Sequence, residues 1–207
     1  REPNGKRVHI ETWGCQMNAS DSEHMYALLR EQNYQHTDQP ENADLIILNT
    51  CHIREKAYHK VVSRLGRLAP LKRGNPKLTI AVAGCVAQAE GQKLLDGSKG
   101  VDIVLGPGQI PQLPKLLAKK QEEGGNQKAI GFRKSETPED YNPLVAKNFD
   151  SNRNLVSRYV NIQQGCNNFC TFCVVPYTRG KERSHAPHLI IDRVKSLLSE
   201  GTREITL

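Results

Sequence analysis

Cys166, Cys170 and Cys173 fall within one short stretch, Gly165-Cys-Asn-Asn-Phe-Cys-Thr-Phe-Cys-Val-Val-Pro-Tyr-Thr-Arg-Gly180, directly after the strand-like run Tyr159-Val-Asn-Ile162. Three thiolates at C-x3-C-x2-C spacing can hold three irons of a cubane cluster and leave the fourth iron without a protein ligand. An open coordination position separates a catalytic metal centre from a closed, structural one. Two other chemistries use the same residue types. A zinc site of the Cys3His kind would take His185 or His188 as its fourth ligand, and close cysteines also form disulfide frameworks. Zinc knuckles usually pair two short C-x2-C clips, and this loop does not. Disulfide frameworks serve small secreted domains, whereas this 207-residue chain has strand and helix patterns enough for a core. The spacing and its context favour the iron-sulfur reading.

The remaining cysteines, Cys15, Cys51 and Cys85, are separated by 36 and 34 residues. Each follows the end of a strand-like run: Glu11-Thr-Trp-Gly-Cys15, Leu48-Asn-Thr-Cys51 and Val82-Ala-Gly-Cys85. In open α/β sheets, ligands bind in the crevice outside the carboxyl ends of the strands. One cysteine per strand-helix unit therefore puts three thiolates on one rim. Gly14 and Gly84 immediately precede two of them, as expected where the backbone turns sharply or approaches a bulky group. The helix N-termini that follow would soften the negative charge of a thiolate-bound cluster. Free cysteine is a common buried residue, so one alone would carry nothing. Three at equivalent points of successive units point to a second three-thiolate cluster.

The elements that must position these residues alternate through the first half of the chain. Strands are expected at Val8 to Trp13, Leu45 to Leu48, Leu78 to Ala83 and Val101 to Leu105. Helices are expected at Asn18 to Asn33, Arg54 to Leu71, Ala87 to Leu95 and Ile110 to Glu123. Ser20 and Asp21 are capping candidates for the first helix. The alternation predicts a mostly parallel sheet covered by helices over residues 1–123. Residues 124–156 carry Gly-Gly, prolines and polar residues without sustained period and read as a linker. A strand near Ser157, the cysteine loop, a helix from Ala186 to Glu200 and a last strand at Glu204 to Leu207 open a second domain over residues 157–207. The fold class is thus α/β throughout.

Composition bounds the partners more loosely. Hydrophobic residues make up 37% and charged residues 25%, and 29 Lys and Arg against 22 Asp and Glu leave a net charge of +7. That balance is compatible with nucleic acid and only weakly diagnostic of it. No apolar run approaches the roughly 18 to 20 residues that span a bilayer. The chain begins at Arg1, so a preceding targeting segment is left open. Six cysteines with candidate metal roles suit a reducing compartment, and a cytoplasmic location is expected.

Four motifs, in order, carry a resemblance: Gly14-Cys-Gln-Met-Asn18, Asn49-Thr-Cys-His-Ile-Arg-Glu-Lys56, Gly84-Cys85-Val-Ala, and the run from Gly165 through Arg179-Gly-Lys-Glu-Arg-Ser184. Together they resemble the methylthiotransferases of the radical S-adenosylmethionine (SAM) superfamily, over essentially the whole chain. Gln16-Met17-Asn18 is the form expected of the tRNA-modifying, MiaB-type branch. The resemblance implies an N-terminal domain holding an auxiliary [4Fe-4S] cluster through Cys15, Cys51 and Cys85. It implies next the start of a radical SAM (β/α) barrel, with a SAM-binding [4Fe-4S] cluster on Cys166, Cys170 and Cys173. The family continues through the rest of the barrel into a small RNA-binding domain, so this chain reads as a truncated start of the barrel, not fully active alone. The activity implied is methylthiolation of C2 of N6-isopentenyladenosine at position 37 of tRNA, by SAM-derived radical hydrogen abstraction and sulfur insertion from the auxiliary cluster. Phe172 is a candidate to pack against the SAM adenine, with plain core as the alternative. Arg179, Lys181 and Arg183 are candidates to contact RNA phosphate, with a solvated loop as the alternative. His185 stands where a basic residue such as Arg is expected.

The partners implied are tRNA and an electron donor such as flavodoxin or ferredoxin, with no membrane and a monomer as the default. Two rival readings stay open. One is a methylthiotransferase for another substrate, either threonylcarbamoyladenosine in tRNA or a ribosomal protein. The other is a zinc-stabilised RNA-binding module without catalysis.

Overall fold

Every residue of Leu45–Thr50 is buried, the condition of an inner strand covered on both faces, where hydrophobicity runs on without alternating. The computed structural model describes residues 5–52, 55–97, 100–132 and 156–207. Within them, β1 (Lys6–Trp13), β2 (Tyr34–His36), β3 (Leu45–Thr50), β4 (Thr79–Gly84), β5 (Ile103–Leu105) and β6 (Gln127–Ala129) form one sheet in the order β2-β1-β3-β4-β5-β6. All neighbours run parallel, as strand-helix alternation requires.

Four helices cover the sheet: α1 (Gln16–Glu31), α2 (Glu55–Gly74), α3 (Cys85–Gly97) and α4 (Leu113–Glu123). Successive strand residues point to opposite faces. Ile46, Leu48, Ile80 and Val82 accordingly meet Val61, Leu65 and Leu68 of α2 and Val86 and Leu94 of α3. Leu45, Ile47, Ala81 and Ala83 meet Met25 and Leu29 of α1 and Leu113 and Leu117 of α4 on the other face. The result is a three-layer domain with two apolar cores and the sheet between them.

Several elements differ from the sequence expectation for identifiable reasons. The first helix begins at Gln16, with Cys15 at its N-cap, so Ser20 and Asp21 lie inside it. Strands β2 and β6 are short and largely polar and give no periodic signal; β6 lies within the segment read as linker. Residues 107–112 form a 3-10 turn before α4, where Pro111 has no N–H to donate. Residues 133–155, most of the expected linker, lie outside the described residues, as does Arg54 at the expected start of the second helix.

The second region comprises β7 (Ser157–Tyr159), β8 (Gln163–Gln164), α5 (Val175–Thr178), β9 (Arg183–Ser184), α6 (Pro187–Ser199) and β10 (Glu204–Thr206). Strands β7 and β10 pair in parallel, and β8 and β9 form a short antiparallel ribbon that closes the base of the cysteine loop. No barrel is formed among the described residues. The region docks on the first domain largely through α1, and α5 also packs against α3. Asn161 Nδ2 donates to Ser20 Oγ at 2.9 Å, and Arg158 lies 3.8 Å from Glu23. Arg179 pairs with Asp21. Ser20, Asp21 and Glu23 all belong to α1, so the residues expected to cap this helix instead receive the second region.

Candidate functional site

The register of three adjacent strands aligns Trp13 with Thr50 and Thr50 with Gly84. Cys51 and Cys85 are each the next residue after that row, and Cys15 comes two residues after Trp13. The backbone N–H of Cys51 still donates to the Trp13 carbonyl at 3.0 Å. Three thiols thus leave the same rim of the sheet from consecutive strands β1, β3 and β4.

Two glycines allow the close approach. Gly14 has φ +147°, and a Cβ there would lie 2.6 Å from the Cys51 Cβ and 2.5 Å from Asn18 Oδ1. Gly84 has φ +87°, and a Cβ there would meet Asn49 Oδ1 and the Thr50 carbonyl, each at 2.5 Å. Any side chain at either position would force the cysteine turns apart.

Asn18 and Asn49 lock these turns together. Asn18 Oδ1 accepts from the Cys15 backbone N–H at 3.3 Å and from its thiol at 3.4 Å. Asn18 Nδ2 donates to Asn49 Oδ1 at 3.2 Å. Asn49 Nδ2 donates to the Asn18 carbonyl and to Ser22 Oγ, both at 2.8 Å. Both asparagines are fully buried, where satisfied polar networks specify a unique arrangement. Neither asparagine has a role that its place in the cysteine motifs alone makes plain. The available signal was Asn49, a polar residue directly continuing the buried run Leu45–Leu48.

The six cysteines are all free thiols, with Cys15 and Cys170 exposed, Cys51, Cys166 and Cys173 half-buried and Cys85 buried. Burial pushes the Cys85 thiol above its usual range; the Arg179 charge and hydrogen bonds from Thr178 and Arg179 oppose that rise, and the Asp21 charge adds to it. In the second loop the Cys166 N–H donates to the Gly180 carbonyl at 3.1 Å, and the Cys173 N–H donates to the Cys170 carbonyl at 2.9 Å. The Asn168 N–H lies 3.5 Å from Cys166 Sγ. Gly165 has φ +77° and a Cβ there would collide with the Gly180 and Lys181 carbonyls, so the loop is pinched at its base. Among the described residues, no three His, Cys, Asp or Glu side chains close into a metal cage. The backbone brings each trio together on one rim or one loop.

The other expected site residues are placed unevenly. Phe172 is 92% exposed, which removes the core reading and leaves its ring free for a ligand. Lys181 is exposed and Arg183 half-buried. Arg179 is 2% exposed and ion-paired with Asp21 at 2.6 Å, not solvated on a loop. His185 is buried and neither ring nitrogen has a hydrogen-bond partner among the described residues. Burial, and then the Arg183 charge, hold it below the ordinary histidine range. His188 is exposed on α6. A cleft of about 220 Å³ is lined by Gln16 and Met17 of α1, the stretch from Tyr159 to Gln163, Thr206 and Leu207.

Residues 7–106 match the family described as Uncharacterized protein family UPF0004. That span holds the whole rim of Cys15, Cys51 and Cys85 and ends before the second loop. Three curated relatives extend the likeness through both cysteine sets, each named tRNA-2-methylthio-N(6)-dimethylallyladenosine synthase. The protein of Roseobacter denitrificans is 45% identical over 206 residues, covering 98% of this chain and 44% of the relative. Those of Bdellovibrio bacteriovorus and Maricaulis maris are 44% and 45% identical over 205 residues each.

Over 98% of its length the chain is similar to these tRNA-2-methylthio-N(6)-dimethylallyladenosine synthases. The chain spans less than half the length of these relatives, 43% to 44%. The likeness to these relatives runs over both the α/β domain and the second cysteine loop, so the two cysteine sets lie in one matched stretch. Among the described residues, no helix is long and apolar enough to cross a membrane.

Proposed function

We propose that this chain is the N-terminal portion of a tRNA methylthiotransferase acting at C2 of N6-isopentenyladenosine at position 37. Cys15, Cys51 and Cys85 would hold an auxiliary [4Fe-4S] cluster, and Cys166, Cys170 and Cys173 a second one that binds SAM. The observation that carries this reading is the in-register rim: three free thiols leaving adjacent parallel strands at one level, with Gly14 and Gly84 clearing the space between them. The donor sets fit the group, because each supplies three thiolates, leaving one iron open for SAM or for sulfur. The names of the relatives support dimethylallyl-adenosine in tRNA over a ribosomal protein or a threonylcarbamoyl substrate.

When bound, the two clusters and SAM supply the hard chemistry, generation of a 5′-deoxyadenosyl radical and delivery of a methylthio group to an unactivated aromatic carbon. The protein's own residues bind and orient. Asn18 and Asn49 fix the turns that carry Cys15 and Cys51. Phe172 offers an exposed ring to the adenine of SAM. Lys181 and Arg183 face the RNA backbone as phosphate contacts, while Arg179 serves inside the protein. The cleft lined by Gln16, Met17 and Gln163 is the place offered to the target base. An electron donor of the flavodoxin or ferredoxin kind and tRNA are the partners, in the cytoplasm.

The test is anaerobic reconstitution followed by iron and sulfide analysis, which should give about eight irons per chain as two cubanes. Replacing Cys166, Cys170 and Cys173 by Ala should remove about half of that iron and all SAM cleavage, since each cubane has four irons. Replacing Cys15, Cys51 and Cys85 by Ala in the complete enzyme should preserve 5′-deoxyadenosine formation and leave tRNA without its methylthio group. Colourless protein containing zinc would instead identify a structural metal module.

A further inference from the structure

Arg179 stands where three elements meet. It directly follows α5, six residues beyond Cys173. Its guanidinium forks onto Asp21 of α1, with Nη2 2.6 Å from Oδ2 and Nη1 3.4 Å from Oδ1. Its other neighbour is Cys85 at the start of α3. Both members of the ion pair are 3% exposed at their side chains. A buried ion pair is weak evidence for stability, because the desolvation of both charges offsets much of their attraction. Its location needs another explanation. Asp21 lies on the helix that Cys15 caps, so a single guanidinium is tied to the helix of one auxiliary thiol and lies against another thiol. It belongs, by chain, to the loop of the second set.

We propose that Arg179 is a positioning residue for the auxiliary site: its guanidinium, forked onto Asp21 beside Cys85, fastens the helix that Cys15 caps to the SAM-binding loop and so fixes the auxiliary rim against it. This rests on the reading of Cys15, Cys51 and Cys85 as cluster ligands. Arginine suits the role because its planar fork takes Asp21 with two donors and leaves further N–H groups directed elsewhere, and because it stays charged at any working pH. Groups outside the first ligand sphere orient and tune metal ligands, and their loss typically costs ten- to a hundredfold in metal affinity.

The experiment isolates the auxiliary site in the 207-residue chain carrying Cys166→Ala, Cys170→Ala and Cys173→Ala. After anaerobic reconstitution, two quantities are read: the rate of iron release to a chelator, and the electron paramagnetic resonance spectrum of the reduced protein. Arg179→Met should speed iron release about tenfold or more and shift the spectrum. Arg179→Lys, which keeps the charge without the fork, should fall between, and it decides the matter should the Met variant not fold. Asp21→Asn should act in the same direction as Arg179→Met, because it frees the guanidinium. Release and spectrum unchanged in these variants, even with a lowered melting temperature, would reduce Arg179 to packing and overturn the proposal while leaving the ligand assignment intact. A starting protein that retains no iron would overturn the ligand assignment itself, and this inference with it.

Discussion

Asn49 Nδ2 donates to the main-chain carbonyl of Asn18 at 2.8 Å, so the strand that ends before Cys51 is bonded to the helix that begins after Cys15. The bond is buried and reciprocated by Asn18 Nδ2 at 3.2 Å. Asn49→Ala leaves the Asn18 amide and carbonyl without these partners, and each orphaned group costs about 1 to 3 kcal/mol. A loss of roughly 2 to 4 kcal/mol in chemical denaturation is therefore expected. A variant within about 0.5 kcal/mol of the parent, the range of an ordinary surface change, would mean that the network does not hold the rim.

Gly84 and Gly66 make a matched pair. Gly84→Ala forces a Cβ to 2.5 Å from the Asn49 side chain and the Thr50 carbonyl at positive φ. Strained backbone of this kind costs about 1 to 3 kcal/mol before any steric shift is added. Gly66 lies within α2 with no atom within 4 Å of an added Cβ, so Gly66→Ala should stabilise by about 0.4 to 1 kcal/mol. Thermal denaturation of the two variants should move in opposite directions. Equal effects would refute the role of Gly84 at the cysteine turn.

His185 gives a pH dependence of known sign. Its folded pKa lies below the ordinary value of 6.5, so the unfolded chain binds the proton more readily. The stability it permits is complete above pH 6.5 and is lost as pH falls through the folded value. His24, lowered by burial against the opposing Asp21 charge, works in the same sense. His185→Phe removes two unpartnered ring nitrogens as well as the titration. It should unfold less readily than the parent at pH 5.5, with a smaller gain at pH 8. Parallel pH profiles for parent and variant would exclude His185 as a source of acid sensitivity.

Phe172→Ala separates binding from folding. An exposed ring contributes little to the core, so stability should stay within about 0.5 kcal/mol of the parent. If the ring stacks on the SAM adenine, a contact worth about 0.5 to 1.5 kcal/mol disappears, which weakens binding roughly two- to tenfold. Equilibrium titration of the reconstituted chain with SAM reads this directly. Unchanged affinity would leave Phe172 without a role in that site.

The strand ends and their cysteines were legible in the sequence because buried parallel strands write themselves as unbroken apolar runs. Leu45-Ile-Ile-Leu48 and Ile80-Ala-Val-Ala83 cannot face water on either side. Helices α2, α3 and α4 followed from their periodic leucines and valines, with ends displaced by a few residues. Strands β2 and β6 were not legible, because Tyr34-Gln35-His36 and Gln127-Lys128-Ala129 sit at the sheet's two edges, where a polar face is tolerated. The Asp21–Arg179 pair was hidden for a different reason: its partners are 158 residues apart, and each alone looks like an ordinary surface charge. Asp21 resembled a helix cap, but Cys15 occupies that position and Asn18 satisfies its N–H, which freed Asp21 to reach the second region.

The order of the strands on the rim also decides what air can do to the protein. Neighbouring strands lie about 4.8 Å apart, so β1 and β4, with β3 between them, are separated by roughly 10 Å. Disulfides need Cα atoms within about 7 Å. Cys15 and Cys85 leave strands that are not neighbours, while Cys51 leaves the strand between them and is next to both. Oxidation of the metal-free rim has a single bridge to make, always through Cys51, and it strands one flanking thiol. Peptide mapping of air-exposed protein would find two mutually exclusive crosslinks within the rim, Cys15 to Cys51 or Cys51 to Cys85, and the central cysteine would be the gate through which this rim is lost.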